Sequence, residues 1–201
     1  MELRDVISAR RSNYDLGRNV KMSDEEIIGI IEDAVRYSPS AYDSQTQRVA
    51  VMFGYEHEAV WDITEAALRA KIGDQRYSGK TEEKINSFRS AYGTVLFFDD
   101  MTKTMEAGNR YPSNVGNFPF WAQQANGILQ YAVWIMLTDV GIGASIQHYN
   151  PLIDTKIRER WDLSSDWKLL AQMPFGSIES EPQERVMADV EERMKVFLGK
   201  E

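Results

Sequence analysis

Apolar residues at helical spacing open the chain and recur along it. Leu3, Val6 and Ile7 occupy positions i, i+3 and i+4, which places them on one face of a short helix. The same spacing returns in several longer stretches. We therefore predict helices over residues 3–11, 24–37, 60–70, 118–139 and 153–161.

The helix over 24–37 also carries start and stop signals. Ser23 is followed three residues later by Glu26, the pattern of a capping box in which each side chain bonds the backbone amide of the other residue. Pro39 lacks a backbone N–H and disfavours helical geometry in the residue before it, so the helix should end at about Tyr37.

Short β-branched or apolar runs predict strands over 48–53, 93–98 and 168–173, with 93–98 buried on both faces. Residues 102–117 show no apolar periodicity and include Gly108, Pro112 and Gly116, so we expect a mobile surface segment there. Helices in excess, with about four strands in irregular order, indicate an α+β fold. Without repeats or a linker, residues 1–201 are expected to form a single domain.

Composition then removes several classes of function. The net charge of −8 offers no cationic face for nucleic acid, and the absence of cysteine excludes thiolate chemistry and Cys-ligated metals. Two histidines are too few for a three-His metal site. The polar start gives no secretory signal, and the most apolar stretch, 118–137, is interrupted by Gln and Asn, so we expect a cytoplasmic protein with no membrane contact.

Three segments hold candidate chemistry, and each has a simpler structural explanation. Arg10, Arg11 and Ser12 could grip a phosphate, although cations also suit the C-terminus of a helix. The polar loop over 38–47 holds more donors and acceptors than a helix cap uses. The run over 141–151 joins two glycines to a polar and aromatic stretch that could line a planar ligand, whereas its single His148 could equally be a hydrogen-bonded structural residue.

The order of these pieces along the whole chain resembles the nitroreductase family. The match consists of Arg10-Arg11-Ser12, Pro39-Ser40-Ala41 with Ser44-Gln45, the long helix leading into Gly141-Ile142-Gly143-Ala144-Ser145, and Arg185 after the last strand. Residues 147–151 and 191–197 resemble the subgroup of fungal fatty-acid-repression-mutant proteins and their bacterial relatives.

That resemblance implies an FMN-dependent homodimer built on a mainly antiparallel sheet of four to five strands flanked by helices. It implies phosphate ligands at Arg10, Ser12 and Arg185, with Arg11 close by. It further implies that the other subunit supplies Pro39, Ser40 and Asp43 against the flavin ring, and that Ser44 and Gln45 contact the pyrimidine side. The backbone at Gln147 and His148 corresponds to the place that faces flavin N5.

The chain departs from the family at Tyr14, where many members have Lys or Arg, at Asp43, where many have Asn, and at Gln183, where Lys is frequent. Tyr14 is still expected to contact the cofactor, but it leaves open which group stabilises reduced flavin.

The resemblance implies ping-pong hydride transfer from NADH or NADPH to a nitroaromatic or quinone, with no catalytic side chain. Phe120 and Trp121, together with residues 102–117, are expected to line the acceptor pocket. The alternative is that these aromatic residues belong to the core. The competing function is a flavin-binding regulatory protein in a stress response or in lipid signalling, with incidental reductase activity. A helical interaction module without a cofactor is the third possibility.

Overall fold

The computed structural model describes residues 2–199 of the chain. The predicted domain of 1–201 also includes Met1, Lys200 and Glu201, which lie outside the described residues. The helices are α1 (Leu3–Ala9), α2 (Asp24–Tyr37), α3 (Gly54–Ile72), α4 (Asp74–Tyr77), α5 (Lys80–Arg89), α6 (Met101–Arg110), α7 (Phe118–Asp139), α8 (Asp154–Arg160) and α9 (Val190–Arg193). The strands are β1 (Leu16–Gly17), β2 (Gln47–Phe53), β3 (Gly93–Asp100), β4 (Gly143–Ala144) and β5 (Trp167–Ile178).

The start of α2 is the predicted capping box. The Glu26 amide donates to Ser23 Oγ at 3.2 Å, and the Ser23 amide donates to Glu26 Oε2 at 2.8 Å. Ile27, Ile31 and Ala34 form the buried face of the helix. The predicted bounds of this helix are confirmed.

The first helix is shorter than predicted. It ends at Ala9, and Arg10 adopts an extended conformation with φ −61° and ψ 120°. Residues 10–13 therefore leave the helix and run beside β4, where the Asn13 amide donates to the carbonyl of Ala144 at 3.0 Å. This early ending puts Arg10, Arg11 and Ser12 on an extended segment.

The strands form a five-stranded sheet of order β1-β5-β3-β2, with β4 also paired to β5, and all of these pairings are antiparallel. The predicted α+β class and the antiparallel sheet are confirmed. Among the described helices, not even the 22-residue α7 combines the length and apolarity needed to cross a membrane.

The central strand β3 is buried along its whole length, as predicted. Val95 and Phe97 join a core cluster with α2 and α7, whereas Leu96 and Phe98 join a second cluster with α3, α5 and α8. Alternate side chains of a strand point to opposite faces, so helices on both faces bury every position of β3.

The prediction of an irregular segment over 102–117 is wrong. Residues Met101–Arg110 form α6, capped by Asp100, whose Oδ1 accepts from the Lys103 amide at 3.0 Å. Its buried residues are Thr104, Ala107 and Gly108, at positions i, i+3 and i+4. Because these side chains are small or polar, a search for large apolar residues does not detect the helix. A 3₁₀ turn, Pro112–Asn117, then leads into α7.

Several elements extend beyond the sequence predictions. The strand β5 continues from the predicted end at Met173 to Ile178, and the carbonyl of Pro174 accepts from the Ser145 amide at 3.2 Å. Proline is tolerated here because the contact uses its carbonyl group. Helix α5 was not predicted, since Ile85 and Phe88 are its only buried apolar residues in a charged stretch.

Candidate functional site

A cavity of about 840 Å³ lies between the segment that follows α1 and the C-terminal segment that follows β5. It brings together five of the residues predicted from the sequence to bind a cofactor: Arg10, Arg11, Ser12, Tyr14 and Arg185. The remaining lining residues come from positions 15, 180–184 and 186, and they include the acidic side chains of Asp15, Glu181 and Glu184.

The wall of this cavity depends on close backbone packing beside β4. Ser12 forms a bridge with Ala144, next to Gly143. A Cβ atom at Gly143 would lie 2.6 Å from Ile178 Cγ1 and 2.9 Å from Leu16 Cδ2, so no larger residue fits without displacing its neighbours. Gly141 has φ +79° and ends α7 in a conformation that favours glycine. Close packing therefore explains glycine at position 143, and the backbone conformation explains it at position 141.

Two contacts hold the C-terminal segment against the segment that follows α1. The Glu179 amide donates to the carbonyl of Asp15 at 3.1 Å, and the Arg11 guanidinium donates to the carbonyl of Gln183. Arg185 follows two residues later and reaches the same cavity as Arg10. Arg11 thus contacts the chain segment that carries Arg185.

Arg10 has two cationic neighbours in this cavity, Arg185 and Arg11. Among the described residues, no salt bridge involves Arg10, Arg11 or Arg185, and the buried Nε of Arg10 has no hydrogen-bond partner. Burial lowers the pKa of Arg10; the nearby Tyr131 opposes that shift, and the positive charges of Arg185 and Arg11 add to it. A dianion would relieve the repulsion among these cations and bond the free N–H.

The predicted polar loop adopts an unusual backbone conformation. Tyr42, Asp43 and Gln45 have φ of 54°, 50° and 46°, in the left-handed region that non-glycine residues rarely occupy. The Gln45 amide donates to Ser40 Oγ at 2.9 Å, and Gln47 Nε2 donates to the carbonyl of Pro39 at 3.3 Å. Such strain persists only where surrounding contacts enforce it.

Tyr42 is held by an aromatic cluster, defined here as Tyr42, Tyr111, Phe118 and Trp121. The ring centroid of Tyr42 lies 4.3 Å from that of Tyr111, 5.6 Å from Phe118 and 5.8 Å from Trp121. Asn114 Nδ2 donates to Tyr42 Oη at 3.1 Å. Phe120, on the same first turn of α7, is 62% exposed. The predicted acceptor residues therefore adjoin the polar loop.

One chain does not bring the polar loop to the cavity. Ser12 lies beside Ala144, which pairs with Phe175, whereas Gln47 pairs with Asp99, which pairs with Lys168. Seven residues along β5 separate these levels, a distance of about 23 Å at 3.3 Å per residue. Pro39, Ser40, Asp43, Ser44 and Gln45 thus lie at the opposite end of the sheet from Arg10.

The other two predicted cofactor-binding residues, Gln147 and His148, lie between these two ends of the sheet. The Gln147 amide donates to the carbonyl of Gln172 at 2.7 Å, and Gln147 Nε2 donates to Ser145 Oγ at 3.2 Å. Gln147 is buried, while its neighbour His148 is exposed. The buried part of this run is thus fixed by backbone pairing with β5.

Sequence reasoning missed two aromatic residues at these sites. Trp134 lies beneath the guanidinium of Arg10, and Tyr42 links the polar loop to α7. Trp134 lies within the helix predicted over 118–139, and helical spacing carries no sign of its contact with Arg10.

A family model described as Nitroreductase family matches residues 7–177. Two proteins of Saccharomyces cerevisiae are similar over most of their length. The protein HBN1 is 28% identical over 92% of this chain and 94% of its own. The nitroreductase FRM2 is 26% identical over 90% of each chain, and it is a fatty-acid-repression-mutant protein, the subgroup that the sequence resembles.

Solved structures agree with these matches. Nitroreductase CinD from Lactococcus lactis in complex with 4-nitrophenol is 37% identical, with a TM-score of 0.88, and in complex with chloramphenicol it is 36% identical, with a TM-score of 0.89; both cover 97% of this chain and 99% of CinD. A nitroreductase with bound FMN from Desulfitobacterium hafniense is 20% identical over 98% of each chain, with a TM-score of 0.72, and shares the fold.

Proposed function

The chain belongs to the nitroreductase family, and we propose that it is an FMN-dependent oxidoreductase that passes electrons from NADH or NADPH to nitroaromatics or quinones. The observation that carries this proposal is the cavity with unpaired arginine cations, which suits a phosphate dianion. Bound FMN supplies the redox chemistry, and the protein supplies binding and orientation.

The residues of the cavity fit the phosphate end of FMN. Arg10 has a buried N–H without a partner, Ser12 offers a hydroxyl group, and Arg185 adds a second guanidinium. Charge-assisted hydrogen bonds from guanidinium groups to phosphate are among the strongest in proteins. Arg11 supports this site indirectly, by bonding the carbonyl of Gln183. We assign the flavin-facing backbone to Gln147 and His148, and the edge of the cavity to Tyr14.

Predicted cofactor-binding residues lie at opposite ends of the sheet in one chain, and this separation supports a homodimer. A second copy would bring its Pro39, Ser40, Asp43, Ser44 and Gln45 to the flavin ring, which one chain alone cannot do across about 23 Å. The C-terminal segment also exposes large apolar side chains: Val186 is 94% exposed, Phe197 93% and Leu198 84%. Such surface is characteristic of protein interfaces.

Purified protein is expected to be yellow, to carry about one FMN per chain and to be a homodimer. The absorption spectrum of the released flavin gives the stoichiometry, and light scattering after size-exclusion chromatography gives the mass. A monomer that retains FMN would contradict the shared site. A colourless monomer that takes up no added FMN would contradict the cofactor assignment.

The aromatic cluster and Phe120 are our proposed wall for the acceptor. Flat electron-poor rings stack favourably on aromatic side chains. CinD, with 37% identity, binds 4-nitrophenol, which supports an acceptor of this class. Because residues 101–110 form the helix α6, the proposed wall rests on the aromatic cluster and on the exposed ring of Phe120 instead of an irregular segment.

Initial rates at varied NADH and nitroaromatic concentrations should give parallel double-reciprocal lines, because the two substrates use one slot in turn. Trp121→Ala and Phe120→Ala should each raise the acceptor KM by about 2- to 12-fold, the equivalent of losing one aromatic contact. The rate of flavin reduction by NADH should change less.

Tyr55→Ala is the matched control, since Tyr55 is an exposed aromatic residue on α3, away from the cluster. Intersecting lines would indicate a ternary complex and contradict the shared slot. FMN that neither NADH nor NADPH reduces would favour the regulatory alternative.

A further inference from the structure

We propose that Trp134 is a positioning residue, which holds the Arg10 guanidinium in place for the phosphate group of FMN. The inference rests on the proposed function and adds a residue that does not line the cavity. Its basis is the contact between these two side chains: Arg10 Cζ lies 4.3 Å from the centroid of the Trp134 ring. Cation–π attraction extends to about 6 Å, and Trp provides the strongest aromatic face for it.

The surroundings of Trp134 make it a rigid support. It is 9% exposed and belongs to the core cluster that joins α7 with α2 and the sheet. The backbone amide of Arg10 caps α1 by donating to the carbonyl of Val6, but the Nε of its side chain has no hydrogen-bond partner. A flexible side chain thus rests against a fixed ring, which limits the conformations that the guanidinium must give up when an anion binds.

An aromatic partner has an electrostatic advantage over an acidic one at this position. A carboxylate beside Arg10 would fix the side chain equally well, but it would cancel the positive charge that attracts phosphate. The π face of Trp134 stabilises a guanidinium without adding a negative charge. Arg10 therefore stays close to Arg185 and Arg11 as an unpaired cation.

The indole N–H of Trp134 shows that hydrogen bonding is not the reason for a tryptophan here. Its Nε1 is buried and has no hydrogen-bond partner, which is an unfavourable arrangement. Phenylalanine would occupy the core without that unpaired group. The feature that Trp134 provides beyond a phenylalanine is the larger and more electron-rich ring under Arg10.

The test compares FMN with riboflavin, which lacks the phosphate. Dissociation constants for both are measured by flavin fluorescence on the full-length protein after removal of bound flavin. Trp134→Leu should weaken FMN binding by about tenfold, and Trp134→Phe by about threefold, as expected from the range of cation–π energies. Riboflavin binding should change by less than about twofold, because the contact acts on the phosphate group alone.

Leu137→Ala is the matched control, because Leu137 is buried in the same core cluster one turn further along α7. Any general loosening of the helix should weaken FMN and riboflavin binding equally in this variant. Inhibition of FMN binding by inorganic phosphate gives a second readout: the inhibition constant of phosphate, calculated with the FMN affinity of each variant, should rise in Trp134→Leu.

The outcomes separate this inference from the function on which it rests. If the wild type prefers FMN to riboflavin and Trp134→Leu keeps the full preference, the positioning role is wrong and the proposed function stands. Equal losses for both flavins would assign Trp134 a purely structural role and overturn the inference. A wild type that binds neither flavin would overturn the proposed function and this inference together.

Discussion

Arg10→Ala is expected to weaken FMN binding by about 1.5–3 kcal/mol, which is about 10- to 150-fold. The substitution removes charge-assisted hydrogen bonds to a dianion and leaves Ser12 and Arg185 as the other proposed phosphate ligands. Arg185→Ala should have an effect of similar size, because both residues line the same cavity. Riboflavin binding should change little in either variant. Fluorescence titration with the two flavins measures both quantities.

Arg4→Ala is the matched control for these variants, since Arg4 is exposed on α1 and lies outside the cavity. Arg10→Lys should fall between the wild type and Arg10→Ala, because lysine keeps the charge and loses the planar fork. Equal FMN affinity in Arg4→Ala, Arg10→Ala and Arg185→Ala would show that the phosphate binds elsewhere.

The flavin-free protein should respond much less to Arg10→Ala than FMN binding does. Without an anion, the cations of Arg10, Arg11 and Arg185 repel one another, and this repulsion contributes to the lowered pKa of Arg10. Removing Arg10 relieves that repulsion but also removes its contact with Trp134, so the melting temperature of the flavin-free protein should change little. The rise in melting temperature that FMN produces in the wild type should shrink in the variant, because ligand stabilisation depends on affinity.

Features set by neighbouring residues could be predicted from the sequence. The bounds of α2 follow from Ser23, Glu26 and Pro39, which act within one turn of the helix. The long helix α7 and the buried strand β3 were predicted because large apolar residues mark their faces. Where buried positions hold small or polar groups, as at Thr104 and Gly108 of α6, the same rule gave an irregular segment.

Contacts between distant parts of the chain were beyond this reasoning. Arg11 and Gln183 are 172 residues apart, and only the folded chain places them in contact. The identity of Arg10, Ser12 and Arg185 as one set came from a family resemblance. Their common cavity depends on the pairing of β1, a two-residue strand without a sequence signal, with the part of β5 that extends beyond its predicted end at Met173. Trp134 and Tyr42 were missed for the same reason.

Lowering the pH from 7 to 4.5 is expected to remove about 2–3 kcal/mol of the free energy of unfolding through His57 alone. His57 is fully buried on α3. Its Nδ1 lies 2.8 Å from Thr94 Oγ1, and its Nε2 lies 3.1 Å from the carbonyl oxygen of Arg89. Trp61 Nε1 donates to the same Thr94 Oγ1 at 3.0 Å.

These partners fix a neutral imidazole. A carbonyl oxygen only accepts, so His57 Nε2 carries the hydrogen. Thr94 Oγ1 accepts from Trp61 and donates its own hydrogen to Nδ1, which satisfies all three side chains. A proton on Nδ1 would break this arrangement inside the core. Burial therefore lowers the pKa of His57 from 6.5 to about 4.

The direction of the pH effect on stability follows from comparing the protonation of His57 in the folded and the unfolded chain. Above pH 6.5, His57 is neutral whether the chain is folded or unfolded, and its full contribution to stability is present. Between pH 6.5 and about 4, the unfolded chain takes up a proton that the folded chain refuses, so the free energy of unfolding falls as the pH falls. Below about pH 4, both states bind the proton and this group causes no further loss.

Urea unfolding at pH 7 and 4.5 isolates the contribution of His57 when the wild type is compared with His57→Gln. Glutamine cannot be protonated, so the variant should be less stable at pH 7 yet lose about 2–3 kcal/mol less between the two pH values. An equal loss in the wild type and His57→Gln would mean that His57 is protonated in the folded core, which would contradict the Thr94 and Arg89 hydrogen bonds that hold it neutral.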